Sequence, residues 1–111
     1  MKLTTIKENR DFRRIYSKGK SYVSPVLVTY VLKGKCNKPR VGITTSKKIG
    51  KAVQRNRARR VVMAAYRQLY PRLENTGYDF IFVARGRTPY VKSNDVLRCM
   101  EKQLKKAGVI Q

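Results

Sequence analysis

The chain contains no histidine. That removes the commonest general base, the commonest metal ligand and every Ser-His or Cys-His nucleophile arrangement. Acids are also scarce: Glu8, Asp11, Glu74, Asp79, Asp95 and Glu101 are the only six in 111 residues. So few carboxylates, so widely spread, do not suggest a self-contained nuclease, polymerase or metal hydrolase, and no protein-only metal site is expected. No apolar run approaches the roughly 20 residues needed to span a bilayer. The opening residues Met1 to Glu8 lack the apolar stretch of a secretory signal. Cysteine is limited to Cys36 and Cys99, with no CxxC and no second metal-type ligand nearby. That pattern reads as reduced thiols in a cytoplasmic protein rather than a disulfide in an exported one.

What is abundant is positive charge. Twenty-seven Lys and Arg against six acids give a formal charge of +21, and 41% hydrophobic content supports one folded domain over residues 1–111 rather than a disordered basic tail. From Phe12 to Leu73 there is no acid at all, yet 17 of the 27 basic residues fall there. A surface that needs only solubility mixes both signs. A single-sign field of this length is aimed at a polyanion, with nucleic acid as first choice. A membrane surface ranks far behind, because no large amphipathic apolar face accompanies the basic stretch.

The element order reads α-β-β-α-β-α, a single-domain α+β sandwich. Asn9 to Lys18 suggests a short helix with Phe12, Ile15 and Tyr16 on one face and Gly19 as its stop. Tyr22 to Lys33 reads as a strand, Gly34 to Lys38 as a turn, Pro39 to Thr45 as a second strand. Gly77 to Ala84 is the most apolar strand and is expected at the centre. Val61, Ala65 and Leu69, widened by Val62, Tyr66 and Tyr70, form one stripe of a long helix from about Val53 to Tyr70, ending at Pro71. Ser93 to Ala107 closes the chain as a helix capped by Ser93 or Asn94, with Leu97, Met100 and Leu104 inward.

The densest charge is Lys47 to Arg60, seven basic residues in fourteen, leading straight into the long helix. Cations near a helix N-terminus oppose its dipole at a cost of a few tenths of a kcal/mol each. They make sense if phosphates arrive, so that arginines and free N–H groups face the same anion.

The run Lys48-Ile49-Gly50-Lys51-Ala52-Val53-Gln54-Arg55-Asn56-Arg57-Ala58-Arg59-Arg60 resembles the signature of the bacterial ribonuclease P protein subunit, with Arg-Asn-Arg at the start of a long helix. Asp11-Phe12, Arg40-Val41-Gly42 and the strand from Asp79 to Arg85 are similar to the family's other elements, so the likeness covers roughly residues 8 to 105. The chain departs from the family's usual pattern at Ala58, where a larger aliphatic residue is common, and at Met63, where a basic residue is frequent.

The resemblance implies a fold with a left-handed βαβ crossover and a role in removing the 5′ leader of precursor tRNA. It implies that a catalytic RNA subunit performs the chemistry with Mg²⁺, held mainly by that RNA, while the protein binds the RNA subunit and the leader. No side chain is expected to be catalytic and no obligate protein partner is evident. By the same resemblance Arg55, Asn56, Arg57, Arg59 and Arg60 contact the RNA subunit, through guanidinium forks suited to phosphates. Arg59 is expected closest to solvent, and Asn56 reads alternatively as a helix cap. Phe12, Tyr16 and Tyr30 are implied to line a cleft for the single-stranded leader, where stacking tolerates any base. Their alternative reading is plain core. Lys47 and Lys48 are placed on leader or RNA phosphates, and Arg85-Gly86-Arg87 is a smaller basic loop. The runner-up function is a basic, structural ribosomal RNA-binding protein. A protein-only nuclease fits poorly with the missing histidines.

Overall fold

The computed structural model describes residues 3–34 and 37–110. Five strands form one sheet: β1 (Thr4–Thr5), β2 (Lys20–Val23), β3 (Leu27–Lys33), β4 (Arg40–Thr44) and β5 (Tyr78–Ala84), in spatial order β1-β4-β5-β3-β2. β3 runs antiparallel to β2 and β5, whereas β4 runs parallel to β5 and β1. The apolar run Phe80-Ile81-Phe82 is fully buried, as a central strand covered on both faces requires. Three helices complete the chain: α1 (Asn9–Lys18), α2 (Ala52–Leu73) and α3 (Ser93–Lys106). α2 joins the adjacent parallel strands β4 and β5, making a βαβ unit.

The layers follow from strand alternation. Leu27, Val31, Val41, Phe80 and Phe82 point to one face and pack with Val62, Tyr66, Leu69, Met100 and Leu104 of α2 and α3. Tyr30, Leu32, Ile81 and Val83 point to the other face, against Phe12 and Ile15 of α1. The expected α+β sandwich is therefore a sheet with one helix on one side and two on the other. α3 is tied to the sheet by buried polar contacts: the Thr29 hydroxyl donates to Gln103 Oε1, and Gln103 Nε2 donates to the carbonyls of Tyr22 and Leu27. Tyr66 lies fully buried beside Phe80 and Phe82, and its hydroxyl meets no partner among the described residues. Burial, reinforced by neighbouring Tyr70, pushes this phenol far above its ordinary pKa.

Several boundaries differ from the sequence reading, each for a physical reason. The strand expected from Tyr22 to Lys33 is a hairpin, because Pro25 cannot donate to a ladder and Ser24 closes the turn, its N–H donating to the Leu27 carbonyl at 2.9 Å. α2 does not stop at Pro71 but runs to Leu73. Buried Leu69, Tyr70 and Leu73 outweigh the single backbone bond that proline forfeits. α3 is preceded by Lys92, so neither Ser93 nor Asn94 is the cap. β1 is too short to carry a periodic signal and is held by parallel pairing to Arg40 and Val41. The expected turn at Gly34 to Lys38 falls partly on residues 35–36, outside the described residues, as does Cys36. Cys99 is a free, half-buried thiol against the Ser24 hydroxyl.

Candidate nucleic-acid interface

Two surfaces meet at the end of β4. The first lies on the α1 side of the sheet, where cross-strand register places side chains in rows: Leu32, Asp79 and Arg40; then Ser21, Tyr30, Ile81 and Gly42; then Val23, Val28, Val83 and Thr44. α1 is anchored over the first two rows. Asp79, 1% exposed, accepts a bidentate pair from Arg40 Nε and Nη2 at 2.9 and 2.8 Å and a third bond from Arg14 Nη2 of α1 at 3.1 Å. Asp11 of α1 adds longer ion pairs to the same two arginines. This carboxylate is thus committed to clamping α1 onto the sheet.

Beyond the clamp α1 leaves the third row open: Val28, Val83 and Thr44 are half-buried and Val23 is exposed. The aromatic side chains rim this floor. Tyr16 lies edge-on to Tyr30 at 4.8 Å between ring centroids, with Phe12 at 6.4 Å, and shares a 3.1 Å hydrogen bond with Thr44 Oγ1. Phe12 and Tyr30 are half-buried and Tyr16 is 37% exposed, so none of the three is sealed in a core. Gly42 makes the arrangement possible, since a Cβ there would fall 2.8 Å from the Phe12 ring. At the far end of the row, Arg85, Gly86 and Arg87 line a cavity of about 580 Å³ with Val23, Ser24 and Pro25, and Arg85 Nη1 donates to the Ser24 carbonyl. That open apolar floor was not legible in the sequence, because valines in strands carry no signal for incomplete coverage.

The second surface is the first half of α2. Lys47 and Lys48 lie exposed in a short 3₁₀ turn after β4, and Gly50, at φ 138°, redirects the chain into the helix. Lys51 precedes the helix, no acid occupies its first turn and no side chain caps it. Arg55 Nη1 folds back to the Gly50 carbonyl. Arg57 Nε donates to the Pro89 carbonyl at 2.6 Å, on the opposite flank. Asn56 and Arg60 are exposed with no side-chain hydrogen bond among the described residues, and Asn56 lies inside the helix rather than at its cap.

Arg59 is exposed, as expected, but not without partners: it reaches Thr45 Oγ1 at 3.1 Å and leans toward the Ile43 carbonyl at the end of β4. Contrary to expectation, the arginines do not all face the helix terminus. With α2 starting at Ala52 and rising about 1.5 Å per residue, Arg59 and Arg60 sit about 10–12 Å along the axis. They lie about two turns from the free N–H groups of the helix start. Thr44 and Thr45 link the two surfaces, the first bonded to Tyr16 and the second to Arg59.

Among the described residues no cluster of three His, Cys, Asp or Glu side chains could hold a metal ion, and no helix is long and apolar enough to cross a membrane. Ala58, small for its position, is fully buried against Ile49 and Ala84, where the 3₁₀ turn and β5 approach the helix closely.

Comparison with known proteins fits this geometry. The family model described as Ribonuclease P matches residues 1–108. The ribonuclease P protein component of Clostridium botulinum is 39% identical over 109 residues, covering 98% of both chains. That of Clostridioides difficile is 38% identical over 104 residues, 94% of this chain and 91% of the other. Among solved structures, the Staphylococcus aureus RNase P protein superposes with a TM-score of 0.84 at 32% identity, over 99% of this chain and 100% of that one. The Thermotoga maritima RNase P protein gives 0.79 at 26% identity, over 92% and 96%. Matched along nearly its whole length in sequence and in fold, the chain belongs to the ribonuclease P protein family and is an accessory subunit of that RNA-based enzyme of tRNA 5′ processing.

Proposed function

We propose that the two surfaces divide the RNA between them. The first half of α2, with Arg55, Asn56, Arg57, Arg59 and Arg60, binds the catalytic RNA subunit. The open floor rimmed by Phe12, Tyr16 and Tyr30 receives the single-stranded leader of precursor tRNA, with Lys47 and Lys48 on its phosphates. The observation that carries this reading is the incompletely covered sheet face: three aromatic rings, none fully buried, border a row in which Val28 and Val83 are half-buried and Val23 is exposed. Stacking on such rings is worth roughly 1–3 kcal/mol per base without regard to sequence, which suits a variable leader. The arginine forks suit phosphates and unpaired bases instead.

The protein contributes cations and shape, and Mg²⁺ belongs to the RNA. The buried carboxylate of Asp79 is taken up by Arg14 and Arg40. A cytoplasmic location accords with RNA as the partner.

The division is tested by substitution. Phe12→Ala and Tyr30→Ala should weaken holoenzyme binding of precursor tRNA by roughly 5- to 100-fold while sparing mature tRNA. Arg55→Ala should weaken association with the RNA subunit and leave the preference for precursor over mature tRNA intact. Equal losses in both affinities for both classes of variant would refute two separate surfaces.

A further inference from the structure

Between α2 and the start of α3 lies a groove of about 450 Å³, of which the assignments above use only Arg57 and Arg60. Val61, Ala64 and Val91 form its apolar floor, and three cations reach it, Arg57 and Arg60 from α2 and Lys92 from the residue that precedes α3. No acid lines it; Asp95, in the first turn of α3, is not among the lining residues. The residue before Val91 is Tyr90, outside the lining itself but 72% exposed, at the end of the 3₁₀ turn Thr88–Tyr90. That turn is rigid. Thr88 and Pro89 are buried, the Thr88 hydroxyl donates to the Val26 carbonyl and accepts from the Arg85 N–H, and the Pro89 carbonyl receives Arg57 Nε. Tyr90 therefore sits between Pro89, which holds a groove arginine, and Val91, which is part of the floor.

From this juxtaposition we infer that the groove and Tyr90 form a subsite for one unpaired nucleotide of the RNA subunit, the base stacking on Tyr90 and its phosphate held by Arg57, Arg60 and Lys92. The inference rests on the reading of α2 as the RNA-subunit surface and extends that surface to residues 90–92. An exposed phenol ring on a fixed turn loses little freedom on binding, and every base offers it a π-face. Three cations with no lining acid select a phosphodiester over an acidic side chain only in combination with the ring, which gives the base its place. A folded duplex would meet the arginines but leave the apolar floor unused.

The test is equilibrium binding of the full-length protein to the RNA subunit over a series of salt concentrations, for Tyr90→Ala, Tyr90→Phe, Lys92→Ala and Arg55→Ala. Tyr90→Ala should bind roughly 5- to 20-fold more weakly, whereas Tyr90→Phe keeps its ring and should bind as the parent does. Lys92→Ala should weaken binding and reduce the salt slope by about one. Unchanged affinity in Tyr90→Ala, with Arg55→Ala weakened, would overturn the subsite and leave the α2 reading standing. No effect of Arg55→Ala would instead overturn that reading itself. Equal losses in Tyr90→Phe and Tyr90→Ala would exclude stacking. A loss confined to precursor tRNA binding would assign the nucleotide to the substrate and overturn the proposal.

Discussion

Gly42→Ala isolates the leader surface with one methyl group. The glycine lies on the α1 face of β4, and a Cβ built there meets Phe12 Cε1 and Cζ at 2.8 Å and Ile6 Cβ at 3.6 Å. Carbon atoms rest at about 3.5–4.0 Å, so the ring must retreat by about 0.7–1.2 Å. It is the far end of a half-buried side chain with room to swing outward, so the fold should lose only about 1 kcal/mol, the lower end of overpacking costs. Binding should suffer more selectively. A radial gap of about 0.5–1 Å forfeits a quarter to a half of a dispersion well, and a share of that size of one stacked base corresponds to roughly a 2- to 10-fold loss. The assay is the ratio of holoenzyme affinities for precursor and mature tRNA under conditions that prevent cleavage, beside the protein's affinity for the RNA subunit. The ratio should fall and the RNA-subunit affinity should hold. An unchanged ratio, or a parallel drop in both affinities, would refute the placement of Phe12 at the leader surface.

Three further outcomes follow from the same geometry. Asp79→Asn leaves Arg14 and Arg40 without their buried carboxylate and should cost about 3 kcal/mol in urea unfolding; a change below about 1 kcal/mol would mean the clamp does not hold α1. Tyr66→Phe removes a buried hydroxyl that has no partner among the described residues, and should raise the free energy of unfolding by about 1 kcal/mol at neutral pH, read by urea unfolding. Because folding raises this phenol above its ordinary value of 10, the unfolded chain releases the proton first, so stability should fall as pH rises past 10, and less so in Tyr66→Phe. Affinity for the RNA subunit should fall with salt at a logarithmic slope of about −5 to −7 if six to eight cations neutralise phosphates; a slope near zero would exclude phosphate contact as the main attraction.

The sequence made the polyanion-binding face legible, because sixty-two residues of one charge sign cannot be a solubility device. It also placed α1 at its true bounds, Phe12, Ile15 and Tyr16 falling on one face with Gly19 next, and put β5 at the centre through its unbroken apolar run. It misplaced elements where tertiary packing outvotes a local signal, as at Pro71, whose helix continues because Leu73 has a buried seat. The partners of Arg59 could not be read, since Thr45 and Ile43 come from across the fold. The Asp79 clamp was equally hidden: four charged residues from α1, β4 and β5 converge only once the sheet order is known. Exposure of Tyr90 is a property of a turn too short to show any period.

The central claim is that this chain supplies binding surfaces and the RNA performs the chemistry. The most direct test is to recover the tagged protein with its bound RNA, assay the complex on precursor tRNA with Mg²⁺, and repeat the assay after nuclease destruction of the bound RNA and inactivation of the nuclease. Leader cleavage that disappears with the RNA, and returns when the RNA subunit is added back, is the predicted result. Cleavage by the protein alone would contradict it and would place a catalytic group in a chain without a single histidine.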